Sequence, residues 1–293
     1  MKTIAIIGST GMIGRPVTNA FIAAGFKVSV LVRDINKARS FFGNHVNYFL
    51  GELEDTAIIE QFLKGQKYLY LNLSVHQEST VKDFQPEREG LANIIEAAKK
   101  TSIERIGYLS SLVHQYNGGK GFRWWVFELK KDAVNKIRNC GIPYTIFYPS
   151  TFMENFDKGA YRQGSFMLLS GHSRFRMYLI SADDFGVQVV NAFEINEGNH
   201  EYVIQGENGF TADEAAVFYK IHCRQEKVII MKFPFGLLRL AGMFNNKYNY
   251  GAKMIEALNN FPEKFQASKA WKELGKPQTK FIDYIKCKEM NVM

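Results

Sequence analysis

Three evenly spaced glycines stand near the start of the chain, in the segment Gly8-Ser9-Thr10-Gly11-Met12-Ile13-Gly14. An apolar run that predicts a buried strand precedes them, and residues at helical spacing follow. In this context the first glycine permits a tight turn, the second lets backbone approach a pyrophosphate, and the third lets helix and strand pack closely. The helix N–H groups then face the phosphates. The candidate phosphate-binding residues are Gly8, Thr10, Gly11, Met12, Ile13 and Gly14, and an ordinary glycine turn is the alternative.

A basic residue follows the second apolar run, at the position that discriminates between dinucleotides. Arg33 lies about 20 residues beyond the glycines, where an acid would accept a hydrogen bond from the ribose 2′-hydroxyl of NAD(H). The Arg33 guanidinium can instead bind a 2′-phosphate in a bidentate way. Lys37, four residues further on, adds a second positive charge. This favours NADP(H), while Asp34 keeps NAD(H) as an alternative; a surface arginine paired with a neighbouring acid is the non-functional interpretation.

Residues at the ends of the later strands complete the candidate cofactor site, because ligands of open α/β sheets bind at the carboxyl edge. From the adenine end to the nicotinamide end, these candidates are Glu52, Leu53, Asn72, Leu73, Ser74, Ser110, Ser111, Tyr148, Pro149, Ser150 and Phe152. The first two are expected to cover the adenine and the next three to flank the adenosine half. The two serines would contact ribose or a substrate carbonyl, and the last four would lie near the nicotinamide. Strand-end packing, a surface loop or a helix cap is the structural alternative for each group.

An alternating series of strands and helices is needed to bring these residues to one edge. Six apolar runs predict strands over Thr3 to Gly8, Lys27 to Val32, Val46 to Leu50, Tyr68 to Leu73, Arg105 to Leu109 and Tyr144 to Tyr148. Segments of helical spacing separate them, over Arg15 to Ala24, Ile35 to Phe42, Thr56 to Leu63, Glu87 to Lys100 and Glu128 to Asn139. Strict alternation implies right-handed crossovers and a parallel sheet covered on both faces.

The alternation stops near residue 150, after which only scattered elements are predicted, including a helix from Asp183 and another with Thr211 as cap and Glu214 three residues later. The predicted fold class is therefore α/β, a Rossmann-type doubly wound parallel sheet with a smaller C-terminal α+β substrate lobe. We expect residues 1–150 to form an NAD(P)-binding Rossmann domain and residues 151–293 a smaller substrate-side region interleaved with it.

Composition excludes several classes of protein. The 293 residues are 46% hydrophobic and 23% charged, which rules out a disordered chain and a disulfide scaffold. The longest apolar clusters, around Phe233 to Phe244, are interrupted by Arg239 and fall short of a membrane helix, so no membrane partner is expected. The net charge of +8 comes from scattered basic residues without a nucleic-acid motif, so we expect no nucleic-acid partner. No leader pattern is evident, and the chain is expected to be cytoplasmic.

The remaining reactive residue types point to neither disulfides nor a metal. Cys140, Cys223 and Cys287 are odd in number and far apart, which favours free thiols in a reducing compartment. No second histidine stands at ligand spacing from another, so no catalytic metal is predicted. His114 follows the two serines in a loop and is expected to be exposed, with a polar contact to substrate as the alternative. Glycines and bulky aromatics between Tyr116 and Trp125 suggest either a lid over an apolar ligand or packing against the second lobe.

The chain resembles the atypical short-chain dehydrogenase/reductases, in particular the NmrA-like and isoflavone-reductase-like group. Besides the glycine loop and Arg33, the resembling segments are Gly90 to Ala98, Arg105 to Ser111, Cys140 to Ile146, Pro149, Phe152 to Asn155, Ser181 to Gly186 and Trp271 to Pro277. This resemblance covers most of the chain. It implies a Rossmann-type sheet that binds NADP(H) or NAD(H) and a small substrate lobe. Some members reduce small molecules, and others bind the nucleotide as sensors.

The resemblance places the catalytic lysine of isoflavone-reductase-like members at Lys130. Other members pair this lysine with a tyrosine four residues earlier, where this chain has Val126, and a shift of one residue pairs Phe127 with Lys131. The usual phenol is therefore absent. Lys130 is expected to bind the nicotinamide ribose and to take part in proton transfer, which needs a lysine pKa lowered by its surroundings. A solvent-facing helix lysine is the alternative.

Two functions follow from this combination of residues. The first is an NADP(H)-dependent oxidoreductase that reduces a small, aromatic or quinone-like substrate without the usual tyrosine. The second is a non-catalytic NADP(H)-binding redox sensor or regulatory protein of the NmrA type. The aromatic segment favours the first and the missing tyrosine the second. Whether the chain forms a homodimer or binds a regulatory protein partner stays open.

Overall fold

The computed structural model describes residues 2–195, 197–224 and 226–290. Over these residues twelve strands form, namely β1 Thr3–Ile7, β2 Lys27–Val32, β3 Val46–Leu50, β4 Tyr68–Leu71, β5 Arg105–Leu109, β6 Tyr144–Pro149, β7 Arg162–Gln163, β8 Phe166–Ser170, β9 Met177–Tyr178, β10 His200–Ile204, β11 Gly209–Phe210 and β12 Ile229–Phe233. The α-helices of the same ranges are α1 Gly14–Ala23, α2 Ile35–Phe42, α3 Thr56–Leu63, α4 Leu91–Lys100, α5 Trp125–Arg138, α6 Ala182–Glu194, α7 Ala212–His222, α8 Phe235–Gly242, α9 Asn246–Asn260, α10 Ser268–Leu274 and α11 Phe281–Met290.

Seven strands form one central sheet in the order β10-β6-β5-β4-β1-β2-β3, and each neighbouring pair is parallel. The order reverses direction at β1, which creates the crevice where open α/β sheets bind ligands. These strands read as continuous apolar runs because both faces of the sheet are covered. The predicted α/β Rossmann-type sheet is confirmed.

Helices cover the two faces of this sheet with two separate apolar cores. On one face Val17 and Phe21 of α1 pack with Phe185 and Val189 of α6. On the other face α3, α4 and α5 supply their apolar stripes, such as Ile94 of α4. Burial of these stripes, at roughly 25 cal/mol per Å² of apolar surface, is the main term that holds the sheet in place.

Strand β10 and helix α6 come from beyond residue 150 and join the central sheet and its core. The structure differs from the predicted element boundaries at two places that matter for the site. The segment before α4 forms one π-helical turn, Pro86–Gly90, rather than regular α-helix. Helix α5 begins at Trp125, three residues before the predicted start. Each difference depends on contacts with distant parts of the chain, which local periodicity does not encode.

The second lobe has its own apolar core, which includes Phe156, Tyr161, Tyr219 and Phe281. Its strands β7, β8 and β12 form one small sheet, and β9 pairs with β11. The predicted cap of α7 is confirmed, because the Thr211 hydroxyl accepts from the Glu214 backbone N–H and the Glu214 carboxylate accepts from the Thr211 N–H. In the described part of the chain, no helix is long and apolar enough to cross a membrane.

Candidate active site

The first and third glycines of the loop are required by the fold itself. Gly8 has φ +84°, and a Cβ there would lie 2.1 Å from the backbone oxygen of Asn72. A Cβ on Gly14 would lie 2.0 Å from the Gly8 carbonyl oxygen. Both distances are impossible for non-bonded atoms, so any larger residue would push the loop away from β4. The loop is therefore packed tightly against the carboxyl end of the sheet, as predicted.

The second glycine, Gly11, is not required by packing within the protein, in contrast to Gly8 and Gly14. Gly11 is exposed, and the nearest atom to an added Cβ would be the Gly8 oxygen at an ordinary 3.5 Å. The fold therefore tolerates a side chain at this position. Helix α1 begins at Gly14, without a side-chain cap and with no acid in its first turn. A bare backbone beside an uncapped helix N-terminus suits an anionic pyrophosphate, and Thr10, Met12 and Ile13 lie in the same segment.

The residues predicted to select the nucleotide lie at the end of β2. Arg33 is exposed and makes no ion pair or hydrogen bond through its side chain within the described ranges. Asp34 caps α2, since its carboxylate accepts a hydrogen bond of 3.0 Å from the backbone N–H of Lys37. The acid is thus engaged in the helix start, while the guanidinium is available. The Lys37 side chain is exposed on the same turn.

The candidate adenine-side residues follow the ends of β4 and β3. Asn72 donates from its side chain to the Gly8 oxygen at 3.4 Å, which ties β4 to the loop. Leu73 is buried in the core and Ser74 is exposed. After β3, Glu52 is exposed, whereas Leu53 packs against Gly90 and its carbonyl accepts from Asn93 at 2.8 Å. The predicted adenine-side roles of these residues stay predictions.

The end of β5 brings together two serines and a histidine. The Ser110 hydroxyl is buried and has no hydrogen-bond partner in the described part of the chain, which leaves it available to a ligand. The expectation that His114 is exposed is wrong: its ring is partly buried and lies 5.9 Å from the Tyr148 ring. Its Nδ1 contacts the Ser111 carbonyl oxygen, so Nδ1 carries the hydrogen and Nε2 keeps its lone pair. Burial lowers the pKa of His114 to about 4, so the ring is neutral at pH 7.

Lys130 is not a solvent-facing lysine. Its ammonium lies 2.7 Å from Oε1 of Glu87, and the two side chains are 16% and 0% exposed. Tyr108 donates to the same carboxylate oxygen at 2.5 Å. The positive charge also acts on His114, whose pKa it helps to lower. A fully buried carboxylate therefore holds the Lys130 ammonium beside the end of β5.

The four candidates at the end of β6 make contacts mainly within the protein. The Tyr148 hydroxyl donates to Glu201 at 2.9 Å, and the Ser150 hydroxyl donates to Glu263 at 2.9 Å. The Pro149 carbonyl accepts from the Leu112 N–H at 3.0 Å. Phe152 is buried against Phe185, at 5.4 Å between ring centroids. The polar groups of Tyr148 and Ser150 are thus occupied, and cofactor contact by these four residues stays a prediction.

The aromatic segment before α5 packs against the second lobe. Trp124 contacts Tyr250 of α9 edge to face at 4.9 Å, and Phe122 is buried in the same cluster. This contact places Tyr250 near the start of α5. Burial, with a smaller contribution from the Glu87 carboxylate, raises the pKa of Tyr250 to about 12. The phenol is therefore protonated at neutral pH and close enough to Glu87 to sense its charge.

Glu87, Tyr108 and Tyr250 were not identified from the sequence. One signal for Glu87 was present, because it stands four residues before Leu91 on the apolar face of the predicted helix. A buried acid on such a face needs a partner. Tyr250 carries no comparable signal, since only the packing of α9 brings it there. The described residues contain no group of three or more metal-binding side chains, and Cys140 and Cys223 are free, while the Cys287 side chain lies outside the described residues.

The fold and the glycine loop define a Rossmann-type α/β protein, and comparison with known proteins gives the family. The NmrA-like family matches residues 1–220, so the chain belongs to the NmrA-like family. The photosystem II assembly factor Ycf39 of Trieres chinensis is 22% identical over 267 residues, which cover 87% of this chain and 80% of that protein.

Two solved structures share the fold across nearly the whole chain. The NADPH-dependent quinone oxidoreductase QOR2 of Escherichia coli, complexed with NADPH, is 18% identical with a TM-score of 0.75, covering 98% of this chain and 99% of that one. The triphenylmethane reductase of Citrobacter sp., complexed with NADP(H), is 16% identical with a TM-score of 0.73, covering 97% and 99%. At these identities the likeness establishes the common fold.

Proposed function

We propose that this protein is an NADP(H)-dependent oxidoreductase that reduces a small aromatic or quinone-like compound. The observation that carries the proposal is the combination of an unpaired Arg33 at the end of β2, an uncapped start of α1 and an exposed Gly11. Together these supply a 2′-phosphate contact and a pyrophosphate cradle at one sheet edge. Family membership and the two reductases that share the fold, both complexed with NADPH or NADP(H), support the same conclusion.

The cofactor, when bound, supplies a hydride, and the protein supplies position and charge. The unsatisfied Ser110 hydroxyl is suited to a ribose hydroxyl or a substrate carbonyl. Lys130 presents a cation that the buried Glu87 holds in place, so it can stabilise negative charge that develops on a reduced carbonyl. Neutral His114 can accept a hydrogen bond at Nε2.

We further propose that Tyr250 donates the proton. In other members a tyrosine four residues before the lysine has this role, and this chain has Val126 at that position. The Tyr250 hydroxyl makes no hydrogen bond to the described residues, and a pKa of about 12 keeps the proton on the phenol at pH 7. In this arrangement the O–H donates to the substrate oxygen, and water returns the proton to the resulting phenolate. The phenol would thus come from the second lobe rather than from α5.

A second candidate function is a nucleotide-dependent regulatory protein that binds NADP(H) without turnover. Two observations favour it: Val126 stands where a phenol is usual, and the Lys130 ammonium is already committed to Glu87. In addition, the relative from Trieres chinensis is named as an assembly factor, which is a role other than catalysis. Binding of NADP(H) is common to both candidates, and turnover separates them.

The cofactor part is tested by titrating the protein with NADPH and NADH while following fluorescence. Arg33→Ala should weaken NADPH binding by about 10- to 100-fold, the value of a charge-assisted contact of roughly 1.5–3 kcal/mol, and leave NADH binding nearly unchanged. Arg174→Ala, at another exposed arginine, is the control and should change neither. Equal weakening of both nucleotides in Arg33→Ala would refute the 2′-phosphate contact.

The catalytic part is tested by adding a panel of quinones to the NADPH-bound protein and following the loss of NADPH absorbance. Oxidation that depends on the added quinone supports the reductase. Tight NADPH binding without oxidation of NADPH by any member of the panel favours the regulatory protein. Failure to bind either nucleotide would refute both candidates.

A further inference from the structure

Helix α8 exposes an unusual number of large apolar side chains. None of its residues is buried, and Leu237 and Leu240 are each more than half exposed. Met243 and Phe244, directly after the helix, are 77% and 84% exposed. Leu237 and Leu240 are three residues apart and so share one side of the helix, and Phe244 lies in the turn that follows it. We call Leu237, Leu240, Met243 and Phe244 the α8 face.

The segment around the α8 face is strongly basic. Residues 227–255 contain five basic and no acidic residues, so a tenth of the chain carries five of its eight excess positive charges. Arg239 and Lys247 are exposed and make no ion pair with any described residue, whereas Lys232 is paired with Asp213. Apolar side chains flanked by unpaired cations are typical of helices that lie in the interface of an anionic membrane.

A second exposed apolar patch lies on α7, and it differs from the α8 face in the charges around it. Val217 and Ile221 are also at least half exposed, but Asp213 and Glu214 of the same helix lie beside them. Arg176 and Lys232 pair with these two acids, so the residues that line that patch offer no unpaired cation to an anionic surface. The charge surrounding the α8 face therefore decides which occupant fits it.

Charge also argues against a second copy of this chain as the occupant. Two α8 faces packed about a twofold axis would bring two copies of Arg239 and of Lys247 together without an acid from residues 227–255 to offset them. Like charges placed opposite each other in an interface are strongly unfavourable. A bilayer containing anionic lipid accepts both the apolar side chains and the cations.

We propose that the α8 face binds the surface of an anionic lipid bilayer, with Leu237, Leu240, Met243 and Phe244 inserted below the headgroups and Arg239 and Lys247 at the phosphates. The long basic side chains can keep their charges at headgroup level while their stems lie along the apolar residues. This attachment is peripheral. It would qualify the expectation of no membrane partner, which rested on the lack of a spanning segment.

The test is flotation of the full-length protein with vesicles of phosphatidylcholine alone and with vesicles that also contain phosphatidylglycerol. The wild-type protein should float with the anionic vesicles and lose this binding as salt is raised. Leu240→Ser/Phe244→Ser should abolish flotation, while the matched pair Val217→Ser/Ile221→Ser should not. Because both pairs change exposed residues, circular dichroism should show all variants folded.

The charge contribution is tested with Arg239→Glu/Lys247→Glu, against Lys64→Glu/Lys220→Glu as an equal change of net charge elsewhere. A basic residue at an anionic surface contributes about a fivefold change in partition constant, so the first pair should weaken binding by about 25-fold or more. The proposal is overturned if the wild-type protein does not float with anionic vesicles, or if the two serine pairs behave alike. It is also overturned if Leu240→Ser/Phe244→Ser dissolves a dimer in sedimentation while no vesicle binding is seen.

Discussion

Replacing Lys130 by methionine is expected to destabilise the fold as well as to change the site. The substitution keeps most of the side-chain volume but removes the cation that lies 2.7 Å from the fully buried Glu87 carboxylate. Removal of one partner of a buried ion pair typically lowers the free energy of unfolding by about 3–5 kcal/mol. We expect about 3 kcal/mol, at the lower end of this range, because Tyr108 still donates to Glu87 and the Lys130 side chain is 16% exposed.

The free energy of unfolding can be measured by urea denaturation of the wild-type protein and the Lys130→Met variant. Lys131→Met is the matched control, because Lys131 is exposed, neighbours Lys130 on the same helix, and makes no ion pair with a described residue. It should change stability by less than about 0.5 kcal/mol. If Lys130→Met and Lys131→Met are equally stable, the buried ion pair does not contribute as argued.

A double variant separates two effects of Lys130→Met, namely the unpaired charge left on Glu87 and the loss of the lysine side chain itself. Glu87→Gln/Lys130→Met removes both charges and keeps an oxygen that can accept from Tyr108. It should be more stable than Lys130→Met by about 1–2 kcal/mol, a coupling typical of residues in contact. A double variant that is less stable than either single variant would refute the electrostatic explanation. This measurement must precede any interpretation of lost activity in a Lys130 variant.

Three further outcomes are expected. Gly11→Ala should leave the urea midpoint unchanged and weaken NADPH binding, whereas Gly14→Ala should unfold at lower urea because its Cβ would meet the Gly8 oxygen; equal stability of the two variants would contradict the assigned roles. His114 has its pKa lowered from 6.5 to about 4 by burial, so the unfolded chain takes up this proton first as pH falls. Stability should therefore decrease by about 3 kcal/mol between about pH 6.5 and 4, and His114→Gln should lack this part of the pH dependence in urea titrations. Tyr250→Phe should lower the rate of quinone reduction at least tenfold and leave NADPH affinity unchanged; an unaltered rate would remove Tyr250 from proton transfer.

The local features of this protein were predictable from its sequence. The strand-glycine-helix order at Gly8 to Gly14 and the alternation up to β6 depend on short-range periodicity and turn chemistry, which a sequence states directly. The same is true of Arg33 at the end of β2 and of the cap at Thr211. Assignment of the Rossmann-type sheet needed no information beyond these patterns.

The tertiary structure alone decided which polar groups meet. Glu87 lies in the π-helical turn before α4, 21 residues before Tyr108 of β5 and 43 residues before Lys130 of α5. The three side chains meet because the folded chain packs these three elements together. The burial of His114 likewise depends on packing against another strand end. Whether a side chain is paired, buried or free is a property of long-range packing rather than of spacing, and for this reason the sequence indicated where the site lies but not how its charges are arranged.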